Sequence, residues 1–299
     1  MKRERRAVLV VNTRSRRGKR LYAEAMRLLE ARGCNLAEAH PVRDPSRVPE
    51  IITAAIEAGH KFIIVGGGDG TITSVMGAIA HRDAVLGILP LGTANSFARA
   101  VGIPLDLAAA IDVLFDGKVA DVDLGKIDNT YFGNTAAVGL PGAMARTMPA
   151  ALKRLLGRAA YPALASVRLL RHRPFRCAIA QQDATIDFHA VEVRIANGGY
   201  QAGFLVADEA SLESCDLIIQ IVKGRSIWKL VKTWALTLAG IAPSSDDVEV
   251  LRWRDLIIRT DPAQDVSIDG EPFGRTPIRA SVASQALLLM IPRHQKELV

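Results

Sequence analysis

The sequence predicts an α/β domain with a mostly parallel sheet, followed by a mainly antiparallel β domain. Three observations carry this. Short apolar runs alternate with amphipathic segments between residues 7 and 115, as strand–helix–strand crossovers require. From Val119 onward most segments are short strand patterns separated by turn residues. The polar loops of the first half each follow an apolar run, where open parallel sheets bind ligands.

The elements follow in order. Ala7–Val11 is a continuous apolar strand, followed by a polar loop over 12–19. Leu21, Ala25, Leu28 and Leu29 share one face of a helix over about 20–31, with Gly33 beyond its end. A weaker strand at 36–40 leads to Asp44-Pro45, a helix start, and a helix to about Ala58. Phe62–Val65 is a buried strand that runs into Gly66-Gly67-Gly68-Asp69-Gly70, with Thr71 as candidate cap of a helix to about Ala80. Val85–Leu89 is the next strand, and residues 90–99 form a second loop and helix. In the second half strands are expected at 119–127, 130–138, 175–180, 185–196, 216–222, 248–252, 255–260, 265–268 and 286–291. Helices are expected at about 146–171 and 226–240. The domain boundary is placed near residue 120, giving 1–120 and 121–299.

Hydrophobic residues make up 49% of the 299 residues, enough for full cores. No apolar run is long enough to span a membrane or to read as a signal peptide, and the three cysteines are scattered. These features lead to the expectation of a cytoplasmic protein with reduced thiols. The net charge of +7 is unevenly distributed. Residues 2–20 hold nine Lys/Arg and one Glu, and no acid occurs between Asp128 and Asp183. Single-sign stretches of this kind attract anions.

The glycine loop after Val65 is the most informative motif. Backbone N–H groups at a strand-to-helix turn suit a phosphate, and glycines let it approach. The spacing excludes a G-x-G-x-x-G fingerprint and a Gly-Lys-Ser/Thr phosphate loop. Asp69 would repel a phosphate unless a cation or hydroxyl is also held there. Near the C-terminus, Asp269-Gly270-Glu271 reads by itself as a plain Asp-Gly turn. Beside a phosphate loop it gains a second reading, because phosphoryl transfer to an alcohol needs a carboxylate to take the proton.

Taken together, these motifs resemble the diacylglycerol kinase catalytic family, which includes bacterial soluble lipid kinases and, more distantly, sphingosine and ceramide kinases. Gly67-Gly68-Asp69-Gly70-Thr71 resembles its nucleotide loop and Pro90–Arg99 its second loop. Asp123-Leu124-Gly125 resembles the segment joining the domains, with Gly157 and Tyr161 in the helical segment after it. Gly198-Gly199 with Leu212, Glu213 and Asp216 is similar to its metal-binding turn, and Asp269-Gly270-Glu271 to its catalytic motif.

The resemblance implies an NAD kinase- and phosphofructokinase-like first domain, a C-terminal β-sandwich, ATP in a cleft, and a C-terminal segment (about 285–299) that returns to the first domain. It implies Asp269 as general base supported by Glu271. Asn12, Ser15, Gly67, Gly68, Asp69, Gly70, Thr71, Gly92, Thr93 and Asn95 would hold the nucleotide, and Arg16 and Lys19, read from their charge and not from the resemblance, would supply positive charge to its phosphates. Asp69 and Asp123 would serve magnesium (Mg2+) near the phosphates, and Glu213 and Asp216 a second divalent ion. The chain departs from the pattern in three places. Thr13 and Arg16 replace a Pro and a Gly, and Ser96 replaces an Asp. Leu212-Glu213-Ser214-Cys215-Asp216 replaces an Asp- and Gly-rich turn.

The expected reaction is transfer of the ATP γ-phosphate to a lipid hydroxyl at a membrane surface. The basic amphipathic stretch 146–173 is expected to bind anionic lipid peripherally, and 226–240, with Trp228 and Trp234 beside Lys229 and Lys232, is either a core helix or a second such surface. Few aromatics interleave the basic stretches, which argues against nucleic acid, and no nucleic-acid partner is expected. NAD kinase shares the Gly-Gly-Asp-Gly loop, but no Asn-Glu plus Thr-Gly-Ser pattern accompanies it here. A regulator that has lost catalysis is the other alternative. The lipid's identity and the oligomeric state, a homodimer included, stay open.

Overall fold

The structure is a computed structural model that describes residues 6–147, 172–181, 184–201, 203–207, 209–239, 241, 244–295 and 298. It divides into two compact units. The first comprises residues up to Leu124, Ser211–Cys215 and the segment from Ala283; the second comprises Gly125–Ala210 and Asp216–Val282.

The first unit is a parallel α/β sheet. β1 (Arg6–Asn12) pairs parallel with β2 (Asn35–Val42) on one side and with β3 (Phe62–Gly67) on the other. β4 (Val85–Pro90) pairs parallel with β3, and Leu288 and Leu289 of β17 (Ile278–Ile291) pair parallel with β4. Val8–Val11 and Ile63–Val65 are buried without alternation, as strands covered on both faces must be. α1 (Arg16–Ala31), α2 (Val48–Glu57), α3 (Asp69–Ile79), α4 (Ser96–Ala100) and α5 (Leu107–Asp116) complete this unit. Leu29, Ile52, Val75, Met76 and Leu114 from these helices are buried in its core.

Two helix starts differ from the sequence reading. α1 begins at Arg16, not near residue 20, because the Ser15 hydroxyl accepts the Gly18 N–H at 2.9 Å and caps it there. α3 begins at Asp69 with Gly68 as cap, so Thr71 lies inside the helix. None of Gly66, Gly67, Gly68, Gly70 or Gly92 has positive φ. These glycines serve close approach instead. A Cβ on Gly67 would lie 2.5 Å from Thr71 Cβ, and one on Gly92 would lie 2.5 Å from Gly68 Cα.

The second unit is antiparallel. β9 (Ala184–Ala196) pairs along its first half with β8 (Phe175–Gln181). Along its second half it pairs with β7 (Thr135–Gly139) on one side and β12 (Leu217–Lys223) on the other. β13 (Val248–Trp253) extends from β12, β14 (Asp255–Asp261) from β8, and β15 (Asp265–Ile268) from β7. Ala136, Val138, Cys177, Ile179, Val193, Ile195, Ile219 and Ile258 are among its buried core.

Three expectations shift here. The run 130–138 is two strands, β6 (Thr130–Phe132) and β7, broken at Gly133-Asn134. β16 (Glu271–Arg275), the short hairpin strands β10 (Tyr200–Gln201) and β11 (Phe204–Leu205), and the first half of β17 have no counterpart in the sequence reading. Helix α6 spans Leu140–Thr147, and the remainder of the expected 146–171 helix, with Gly157 and Tyr161, lies outside the described residues. α7 (Ile227–Leu238) lies within the expected range.

Candidate active site

In the first unit the loops after β1, β3 and β4 meet at the carboxyl edge of three neighbouring parallel strands. Asn12, the last residue of β1, donates its Nδ2 to Thr71 Oγ1 at 2.9 Å, and its Oδ1 accepts the Arg14 N–H at 3.1 Å. The Leu91 N–H donates to the Gly67 carbonyl at 2.9 Å, and a Cβ on Gly92 would lie 2.5 Å from Gly68 Cα, one on Gly68 3.1 Å from Gly92 Cα. Asn95 adopts a left-handed conformation (φ 49). Its side chain accepts the Gly92 N–H at 2.9 Å and donates to the Gly92 carbonyl at 3.1 Å. Asn95 therefore shapes its own loop. Thr93, Gly70, Ser15 and Lys19 are exposed around these contacts, and Arg16 is the first residue of α1. α1 has basic residues and no acid in its first turn, an arrangement that its dipole disfavours and a bound anion would offset. Beside the loop after β1, His40, Pro41, Val42, Arg43, Asp44, Arg47 and Ile51 line a groove of about 530 Å³.

Asp69 stands at the first position of α3, and its Oδ1 accepts the Ser96 N–H. Burial pushes its carboxyl above the usual range, opposed by the N–H groups of Ser96, Phe97 and Asn95. The side chain thus holds the start of α4 against the glycine loop. Asp123 is 2% exposed. Its Oδ2 accepts the Cys215 N–H and its Oδ1 the Gln285 N–H, both at 2.7 Å. Both donors lie in the left-handed region, with φ 56 and 49.

In the second unit, Asp269 (φ 47) and Gly270 (φ 83) are the central pair of a two-residue turn between β15 and β16. Positive φ at both positions is the twist-matched hairpin turn that Asp-Gly favours. The Asp269 carboxylate folds back onto the break between β6 and β7. It accepts the N–H groups of Gly133 at 3.1 Å, Asn134 at 3.1 Å and Thr135 at 2.9 Å. The break is itself braced: Asn197 Nδ2 donates to the Gly133 carbonyl at 2.9 Å, and the Asn197 and Gly198 N–H groups to the Asn134 carbonyl. Glu271 begins β16 and is exposed. The sequence reading missed 133–135 and Asn197, because backbone donors leave no side-chain signature. The Gly133-Asn134 pair inside an apolar run was the available signal.

The diacylglycerol kinase catalytic domain model matches residues 6–127, and the YegS C-terminal NAD kinase beta sandwich-like domain model matches residues 135–291. The chain belongs to the diacylglycerol kinase family. A relative named "Probable lipid kinase YegS-like" from Klebsiella pneumoniae is 31% identical over 275 residues, covering 90% of each chain. A "Diacylglycerol kinase" from Staphylococcus epidermidis is 29% identical over 243 residues, 80% of this chain and 77% of that one. The crystal structure of a putative diacylglycerol kinase from Bacillus anthracis superposes with a TM-score of 0.81 at 21% identity, covering 96% of this chain and 95% of that one. The fold is therefore an N-terminal α/β domain with a C-terminal antiparallel β-sandwich.

Of the carboxylates that the family resemblance assigns to divalent ions, two accept backbone N–H groups and one pairs with an arginine. Asp69 and Asp123 are engaged by backbone N–H groups. Glu213 is exposed, and Asp216 pairs with Arg252 at 3.3 Å. Among the described residues no group of three or more His, Cys, Asp or Glu is placed to hold a metal.

Proposed function

We propose that the chain is an ATP-dependent lipid kinase that transfers the γ-phosphate to the hydroxyl of a membrane lipid. The observation that carries this reading is Asp269, a turn carboxylate aimed by three backbone N–H groups. An ordinary hairpin turn needs no such clamp. A carboxylate fixed before the substrate arrives is suited to accept an alcohol proton without reorganising. Family membership and the names of its relatives support the phosphotransfer chemistry.

The nucleotide is assigned to the first unit. Its phosphates are assigned to the backbone of Gly67, Gly68, Gly70 and Gly92, with the Thr71 and Thr93 hydroxyls and the basic first turn of α1 around them. Asn12, Asp69 and Asn95 act by position: the first two tie the three loops into one surface, and Asn95 holds the shape of its own loop. Asp269 takes the proton of the attacking hydroxyl, and Glu271 supports the charge of the site. The substrate is a lipid alcohol such as a diacylglycerol, a monoacylglycerol or a sphingoid base, met at the bilayer surface by a peripheral enzyme.

Purified protein incubated with γ-labelled ATP and a total membrane lipid extract tests this reading. The expected result is a labelled lipid phosphomonoester, identified by mass. Label recovered only as inorganic phosphate, or on NAD added to a parallel reaction, would overturn it.

A further inference from the structure

A lipid kinase must reach an alcohol held in a bilayer, and the following inference rests on that reading. α7 has two unlike stripes. The inner stripe is accounted for by the fold. Leu230 and Thr233 are buried, and Ile227 and Trp234 pack against Leu140, Met144, Val191 and Val222. The Trp234 indole N–H donates to buried Glu192 at 2.9 Å. The outer stripe, Trp228, Lys232, Ala235 and Ala239, is exposed at helical spacing. Trp228 is 73% exposed, more than any other large hydrophobic among the described residues, and Ile241 just past the helix is also exposed. Among the described residues this indole is left mostly uncovered.

The charge around it is one-sided along the chain. Residues 217–245 contain four cations and no acid. Arg225 is exposed, and its Nη2 lies 3.1 Å from the His189 ring. Lys229 and Lys232 share one carboxylate, Asp247, at 3.2 and 2.6 Å, and Lys223 pairs with Glu249 at 2.9 Å. With exposed Asp246 counted, four cations stand against three acids, so the patch keeps a positive excess.

We propose that the outer face of α7, headed by Trp228 and Arg225, is a docking surface for an anionic bilayer. An indole is suited to the boundary between headgroups and acyl chains. A helix whose only charged residues are lysines, with an exposed arginine just before it, suits anionic lipid. The surface recruits the enzyme to its substrate's phase without entering the phosphotransfer chemistry.

Co-sedimentation of the full chain with vesicles of equal parts phosphatidylcholine and phosphatidylglycerol tests this. The wild type is expected to bind these vesicles more tightly than pure phosphatidylcholine. Trp228→Ala should weaken partitioning about tenfold, the effect of withdrawing one large apolar side chain. Arg225→Ala should weaken it about fivefold, the effect of one interfacial cation. Brominated acyl chains should quench the wild-type tryptophan emission, and Trp228→Phe should bind while losing that quenching. Turnover on a water-soluble short-chain alcohol should be unchanged in all three variants. Unaltered vesicle binding by Trp228→Ala, or equal binding to neutral vesicles, would overturn the proposal even with kinase activity intact. Vesicle binding that depends on Trp228 without phosphorylation of any lipid would instead leave this surface standing and remove the kinase reading.

Discussion

At Asp123 a single carboxylate holds two backbone N–H groups from distant parts of the chain, each on a residue with positive φ. Replacing it by Asn leaves one acceptor oxygen and turns an NH2 group towards a second donor. Asp123→Asn should lose about 2–3 kcal/mol of stability, read by chemical denaturation; an unchanged midpoint would remove this bracing role. Gly92 makes a comparable case. Its Cβ would meet Gly68 Cα at 2.5 Å and Asn95 Oδ1 at 2.7 Å. Gly92→Ala should separate the loops after β3 and β4 and weaken ATP binding about tenfold or more in calorimetry, because backbone has to move. Gly274→Ala, with open space around it and no positive φ, should bind ATP as the wild type does. The sequence marked Asp69, Asp123, Gly92 and Asn95 as notable, but their partners were not legible in it. The donors to Asp123 are backbone groups of residues 92 and 162 positions away, and only the folded chain brings them to one carboxylate.

Elements show the same division between what periodicity carries and what long-range pairing adds. β1, β3 and β4 were legible because strands buried on both faces are written as unbroken apolar runs. β16 was not: Glu271–Arg275 is mostly exposed and contains Pro272 and Gly274, so its strand character comes from pairing with β15. Likewise β6 and β7 read as one run, and the interruption that supplies the Asp269 clamp appears only in the fold. α7 is tied to the segment before β13 by Lys229 and Lys232, whose hydrogen bonds hold the Asp247 carboxyl below its usual range. A depressed carboxyl stabilises the fold above its unfolded value near 3.8 and ceases to do so as pH falls through the lower folded value. The stability advantage of wild type over Asp247→Asn should therefore be constant at neutral pH and shrink below about pH 3.8. A difference that persists unchanged to lower pH in denaturant titrations would show that the ion pairs contribute nothing.

At the scale of the whole molecule, each unit carries one part of the proposed chemistry. The first presents three tied loops at the carboxyl edge of a parallel sheet. The second presents a clamped carboxylate at a hairpin tip. The chain runs between the units more than once, since Ser211–Cys215 and the segment from Ala283 belong to the first. Membership in the diacylglycerol kinase family was legible in the order of the motifs, since these lie in loops whose residue types are set by chemistry. A carboxylate that ligates a metal and one that braces backbone look alike in a sequence, so the backbone partners of Asp69 and Asp123 are seen only in the fold. The central claim is that Asp269 accepts the proton of the attacking hydroxyl. The kcat of Asp269→Asn with labelled ATP and the phosphorylated lipid's precursor tests it most directly, with folding checked by circular dichroism and ATP binding by calorimetry. The expected result is a folded variant that binds ATP and has lost about 10²–10⁴-fold in kcat. A folded variant that turns over at the wild-type rate would contradict it.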